Sequence, residues 1–269
     1  MTLRELYSFC KDGLKCENAG FEARQICLKF TGYDKTSFLM NYNKATDTEL
    51  ISRCAEAVKK RNSGIPLYYI LGECEFYGYP FYVGDGVLIP RQDTETLVDE
   101  LIKCCKQKES PKVLDLCSGS GCIAISASLE TDIHVDAVEY HDKAYEYLCR
   151  NIELNKADVT PIKADALEFC GDYDIVVSNP PYIAEYERSD LSREVLNEPH
   201  SALFADDDGL AFYKKISQNF KNNRNITLMF EVGFKSDSKV ANIMSDNGFK
   251  NIRTVADLCG INRVVIGEM

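Results

Sequence analysis

A glycine-rich turn between an apolar segment and a helix-patterned one constrains this chain most. Residues 112–116 read as a short buried strand, and Asp115-Leu116-Cys117-Ser118-Gly119-Ser120-Gly121-Cys122-Ile123 leads from its end into a helical pattern over 123–129. Glycine lets backbone approach a ligand, and a helix opening there presents N–H groups with no intrahelical partner. The alternation then continues: strands over 135–138, 160–163, 175–178 and 226–230, with helices over 143–154, 210–220 and 236–246. Such alternation folds as a parallel sheet wrapped on both faces. Residues 251–255 and 263–266, joined by a short polar turn, predict a closing hairpin that adds an antiparallel strand. The fold class is therefore α/β, with a mostly parallel, seven-stranded, Rossmann-like sheet.

The chain ahead of this sheet has a different period. Leu3, Leu6, Tyr7, Phe9 and Cys10, then Ala23, Ile26, Cys27 and Phe30, recur at three- and four-residue steps, and Asp47 ahead of Leu50 marks a helix start. Residues 1–71 thus predict a small helical bundle, which carries no chemical motif and suits recognition or packing. Aromatic and β-branched alternation broken by glycine makes 72–89 a β-hairpin linker, and residues 90–269 form the sheet domain.

Composition excludes several functions. Among 269 residues, 45% are hydrophobic and 27% charged, the balance of a soluble globular protein, and no apolar run approaches the roughly 18 residues of a membrane span. The N-terminus lacks the basic-then-apolar layout of a signal peptide, so a cytoplasmic location is expected. A net charge of −11 argues against wrapping nucleic-acid phosphates. The 12 cysteines contain no Cys-x-x-Cys pair and no nearby histidine ladder, so most are expected to be small buried thiols, and no metal is expected. His134, His141 and His200 stand at no recognisable catalytic spacing and receive no role.

Asn179-Pro180-Pro181-Tyr182, straight after the strand over 175–178, points to the chemistry. An amide nitrogen is a poor nucleophile because its lone pair is delocalised, so a site that alkylates it must hold both N–H groups. The Asn179 side-chain oxygen and the Pro180 carbonyl can each accept one. The two prolines stiffen the loop and carry no competing N–H, and Tyr182 offers a face on which a planar group can stack. Glu139, ending the strand over 135–138, is placed to accept from both hydroxyls of a ribose. A dinucleotide site keeps such an acid too, and its Gly-x-Gly-x-x-Gly fingerprint tolerates Ala124. The Asn-Pro-Pro-Tyr run decides between them, because hydride transfer has no use for it.

Asp115-x-Cys-x-Gly-x-Gly, Ala137-Val138-Glu139, Ala164-Asp165-Ala166 and Asn-Pro-Pro-Tyr-Ile, in this order, resemble the class I S-adenosylmethionine-dependent methyltransferases that act on nitrogen of planar groups. Ile65-Pro66-Leu67-x-Tyr69-Ile70-x-Gly72, Leu88-Ile89-Pro90-Arg91-x-Asp93-Thr94-Glu95, Asn197-Glu198-Pro199 and Asp257-x-x-Gly260-x-x-Arg263 narrow the resemblance to the release-factor glutamine methyltransferases of the HemK type. The resemblance implies S-adenosyl-L-methionine as cofactor and S-adenosyl-L-homocysteine as product. Asp115 belongs to the cofactor motif; the turn of Cys117, Ser118, Gly119, Ser120 and Gly121 would cradle the methionine end. Glu139 would hold the ribose, Asp165 and the Ala166 backbone the adenine, and Asn179 would lie between cofactor and substrate. Asn179, Pro180, Pro181 and Tyr182 would grip the glutamine of a class 1 peptide chain release factor, with no membrane and no direct nucleic-acid partner. Glutamine methylation of a ribosomal protein and adenine N6 methylation of DNA remain alternatives. Two departures stand out. Cys117 replaces a glycine, which predicts either an ordinary backbone angle there or a modest loss of affinity, and Gln92 replaces a proline, with a small effect on loop stiffness.

Overall fold

The computed structural model describes residues 1–269. Two compact units emerge: Met1–Glu73 with Ser192–Asn197, and Cys74–Leu191 with Glu198–Met269.

The first unit is helical. It contains α1 (Leu3–Gly13), α2 (Ala19–Thr31), α3 (Lys35–Met40), α4 (Thr48–Asn62) and the single-turn α5 (Leu67–Leu71). Thr2 and Glu5 cap α1 reciprocally, the Thr2 hydroxyl accepting from Glu5 N while Glu5 accepts from Thr2 N at 2.8 Å. Asp47 caps α4 by accepting from Leu50 N at 2.7 Å, the helix start its sequence predicts. Leu6, Ile26, Phe38 and Leu71 meet in one apolar core. Beside it Arg61 grips Glu22 with two bonds, Nε to Oε2 at 2.6 Å and Nη2 to Oε1 at 2.9 Å, both side chains being buried. The same guanidinium pairs with Glu194 in the returning segment Ser192–Asn197. Nothing in the local pattern of that segment announces this return.

Strands β1 (Glu73–Phe76) and β2 (Tyr79–Tyr82) make the hairpin, with left-handed Tyr77 and Gly78 at its turn (φ +52° and +79°). It is shorter than the alternation over 72–89 predicts: pairing stops at Tyr82, and Gly86 takes φ +103°, which a strand cannot accommodate.

The large sheet runs β5-β4-β3-β6-β7-β9-β8. Its strands are β3 (Val113–Leu116), β4 (Val135–Glu139), β5 (Val159–Lys163), β6 (Ile175–Ser178), β7 (Thr227–Glu231), β8 (Lys250–Ala256) and β9 (Asn262–Glu268). The first five are parallel, with Val113 opposite both Val135 and Ile175, and β9 enters antiparallel with Met229 opposite Ile266. This is the mostly parallel seven-stranded arrangement with a closing hairpin that the alternation predicts. Every residue of β3, β6 and β7 is buried, which explains their continuous rather than alternating apolar pattern. Helices α6 (Glu95–Cys105), α7 (Cys122–Thr131) and α8 (Asp142–Asn155) precede the short α9 (His200–Leu203) and α10 (Asp206–Gly209). The last two, α11 (Ala211–Phe220) and α12 (Asp237–Asp246), bring Tyr213, Phe220 and Met244 against Leu114, Leu228 and Phe230. Asp257 closes the β8–β9 turn, accepting from Cys259 N at 2.8 Å, Ile261 N at 2.9 Å and Arg263 Nε at 3.1 Å.

Six of the 12 cysteines are buried, fewer than the sequence reading expects, and Cys170 and Cys259 are exposed. No helix is long and apolar enough to cross a membrane.

Candidate active site

The chain runs outward from β3 through β4 and β5, then returns to lay β6 on the other side of β3. At such a reversal the loops leaving neighbouring strands diverge and open a crevice at the strands' carboxyl ends. A cavity of about 330 Å³ lies there, walled by the residues that follow β3, β4, β5 and β6.

Cys117, Ser118, Gly119 and Ser120 line the cavity from the end of β3. Ser118 N donates to Val138 O at 3.0 Å and Gly121 N to Ser118 O at 2.8 Å, which curls the turn before α7 begins. Gly121 is behind the wall with φ +83°, and a Cβ there would come within 2.5 Å of Leu148 Cδ1, so glycine is required for turn and α8 to approach. Cys117 adopts φ +60°. The ordinary backbone angle offered as one outcome of the Cys117 departure is therefore not found. The turn keeps the left-handed shape that glycine takes freely, and cysteine bears the steric cost of about 1 kcal/mol or more.

Glu139 faces the turn from β4. Its Oε2 accepts from Gly119 N at 2.9 Å and its Oε1 from His141 N at 2.7 Å, so the carboxylate is fixed while each oxygen keeps a lone pair for a ligand. Asp165 and Ala166 line the cavity from beyond β5, with Asp165 Oδ1 accepting from Leu167 N at 2.8 Å. Asp115 lies beneath the wall, fully buried, and neither of its carboxyl oxygens has a partner. Burial pushes this carboxyl up to about 8.

Asn179 and Pro181 close the cavity from β6; Pro180 and Tyr182 do not line it. Asn179 Nδ2 donates to Thr94 Oγ1 at 3.4 Å. Glu231, at the end of β7, is buried behind this pair, and burial pushes its carboxyl up to about 7 against the pull of Thr94, Arg263 and Asn179. The amino end of the Asn179 amide thus faces acceptors, which leaves its oxygen as the free end. Tyr182 packs its ring so closely on Gly233 that a Cβ there would stand 2.9 Å from Cδ2, and burial raises its phenol to about 12. The backbone beyond is clasped as well. Ile183 N donates to Leu203 O at 2.9 Å, Ala205 N donates to Ile183 O at 3.0 Å, and Gly209 sits against the Tyr182 carbonyl.

Several residues given no role on sequence grounds line this cavity or support the residues that do. Thr94 and Glu231 orient Asn179. Glu198, buried, accepts from Ile89 N at 3.0 Å and pairs with Arg91, joining the loop before α6 to the loop before α9. Arg263 pairs with Asp93 at 2.7 Å, and Tyr140, 58% exposed, lines the cavity beside Glu139. Arg91, Asp93, Thr94, Glu198 and Arg263 stand in motifs that carry the family resemblance, Tyr140 and Glu231 do not, and only contacts distant in sequence bring them together.

A seven-stranded sheet of this order, with a glycine turn facing an acid at the end of the next strand, defines a methyltransferase domain. The hMettl16 catalytic domain, solved in complex with a MAT2A 3'UTR hairpin, shares the fold at a TM-score of 0.59 and 14% identity, covering 82% of each chain. Residues 92–213 match the methyltransferase small domain family, and residues 3–72 match the PrmC N-terminal domain family. A release factor glutamine methyltransferase of Geobacter sulfurreducens is 36% identical over 259 residues, 94% of this chain and 90% of that one. Its counterpart in Fusobacterium nucleatum is 42% identical over 218 residues, 78% of this chain but 61% of that relative's length. The chain belongs to the release factor glutamine methyltransferase family.

Proposed function

We propose that this protein transfers a methyl group from S-adenosyl-L-methionine to the side-chain amide nitrogen of the Gly-Gly-Gln glutamine in class 1 peptide chain release factors. The observation that carries this reading is the Asn179 amide, turned oxygen-outward by Thr94 on the same cavity that holds Glu139 and the glycine turn.

The residues present fit that cofactor. Glu139 keeps a lone pair on each oxygen for two ribose hydroxyls. An unpartnered buried carboxyl at Asp115, close behind a turn of backbone N–H groups, suits an amino-acid end that carries both charges. Asp165 and Ala166 wall the part of the cavity left for the adenine. When bound, S-adenosyl-L-methionine supplies a methyl already activated by its sulfonium, leaving S-adenosyl-L-homocysteine.

Alignment and electrostatics are left to the protein, and positioning alone can contribute up to about 7–11 kcal/mol. Asn179 Oδ1 and the Pro180 carbonyl accept the two N–H groups of the glutamine amide. As the nitrogen becomes tetrahedral those hydrogens gain positive charge, so both acceptors hold that state more strongly than the ground state. The amide proton leaves after transfer, and no histidine base is needed. The helical unit serves as the docking element for the release factor, and a cytoplasmic location goes with that partner.

Methyl transfer from labelled S-adenosyl-L-methionine tests the reading with three acceptors: release factor, the same factor with its Gly-Gly-Gln glutamine replaced, and double-stranded DNA. Label on the first alone is expected. Label on DNA alone overturns the proposal, and label on none moves the search to ribosomal proteins.

A further inference from the structure

Three cysteines distant in sequence meet inside the helical unit. Cys10 comes from α1, Cys27 from α2 and Cys54 from α4, and their sulfur atoms all lie within 4.8 Å of one another. Each is 0% exposed, in the apolar core that also holds Leu6 and Ile26. Buried thiols often do no more than fill space. These three bring sulfur to sulfur at a single point, which filling space does not require. Sulfurs bound at about 2.3 Å around one ion in a trigonal plane stand about 4.0 Å apart, so the triad needs to contract by no more than about 0.8 Å to close on an ion.

We propose that Cys10, Cys27 and Cys54 bind one soft monovalent cation of the copper(I) kind in a three-sulfur site that fastens α1, α2 and α4 together. Sulfur ligands select soft ions over hard ones. The group offers three ligands and no fourth, which suits three-coordinate copper(I), whereas structural zinc is almost always held by four.

Cysteine ligates as thiolate, so binding sends the three S–H protons to solvent and seats the ion among three sulfur anions, with no change of oxidation state. The ion reaches the triad by local parting of the three helices, an opening short of global unfolding.

The test uses the full-length protein, reduced and anaerobic, loaded with copper(I) in the presence of excess bicinchoninate as competitor. One retained copper per chain is expected, with three sulfur neighbours and no nitrogen or oxygen shell by X-ray absorption. Cys10→Ala, Cys27→Ala and Cys54→Ala are each expected to weaken retention at least tenfold. Cys170→Ala and Cys259→Ala, at the exposed thiols, are expected to leave it unchanged. No retention by the unaltered protein, a two-sulfur shell, or equal retention by the triple alanine variant overturns the proposal. Far-ultraviolet circular dichroism checks that each variant folds, and the absorption measurement needs no variant.

Discussion

Asn179 Nδ2 donates to Thr94 Oγ1 across 3.4 Å, joining residues 85 apart in the sequence. The bond is long and contributes little on its own, so its worth is directional: it sets which end of the Asn179 amide faces the cavity. Asn179→Ala is expected to lower turnover about 10²-fold or more, as removal of a transition-state acceptor does, with a much smaller change in cofactor affinity. Thr94→Val, which keeps the shape and removes the acceptor, is expected to cost at most about tenfold. Single-turnover rates beside equilibrium cofactor binding separate the two effects; near-normal turnover in Asn179→Ala removes Asn179 from the mechanism.

Asp115 predicts a pH dependence of stability. Its carboxyl is raised from 3.8 to about 8 in the folded protein, so the native state holds a proton that the unfolded chain releases. Its contribution to stability is complete below about pH 3.8 and is lost as pH rises through about 8. The slope in that window is at most about 1.4 kcal/mol per pH unit. Asp115→Asn cannot ionise and is expected to flatten the profile. Urea unfolding at pH 5, 6, 7 and 8 measures this, and parallel profiles for the two proteins would remove Asp115 as the source.

The left-handed backbone at Cys117 reverses an ordinary order of preference. Elsewhere a glycine costs roughly 0.5–1 kcal/mol relative to alanine; at φ +60° the Cβ is the burden. Cys117→Gly is accordingly expected to be as stable as Cys117→Ala or more so, and to bind S-adenosyl-L-methionine at least as tightly as the unaltered protein. Thermal unfolding and a binding isotherm on the two variants decide it, and a less stable glycine variant speaks against strain at this turn.

Gly209 holds φ +80°, and a Cβ there would stand 2.2 Å from the Tyr182 carbonyl oxygen. The Asn-Pro-Pro-Tyr backbone or the loop must then move. Gly209→Ala is expected to cost about 1–3 kcal/mol of stability and to lower turnover at least tenfold. Gly32→Ala is the control: it shares a positive φ of +69° but has nothing within 4 Å, so it is expected to lose stability alone.

The parts legible in the sequence are those whose physics is local. Alternation of apolar runs with helical periods is enough to define β3 to β7 as strands of a parallel sheet and β8 with β9 as its closing hairpin, since a right-handed crossover leaves few other ways to bury the faces. Residue chemistry is local as well: Gly119 and Gly121 mark a tight turn ahead of a helix, Glu139 an acid at a strand end, and Asn179 with two prolines a stiff loop, and Gly119, Glu139 and Asn179 all reach the cavity wall. The Glu22–Arg61–Glu194 pairing, the support of Asn179 by Thr94 and Glu231, the seat of Tyr182 on Gly233 and Gly209, and the meeting of Cys10, Cys27 and Cys54 were decided by tertiary structure alone. Each joins residues many turns or strands apart, and periodicity carries no information about which distant side chains come to share a point. Cys117 shows the same limit within a single turn. The sequence shows a residue that dislikes positive φ, and only the folded turn between β3 and α7 shows it held at φ +60°.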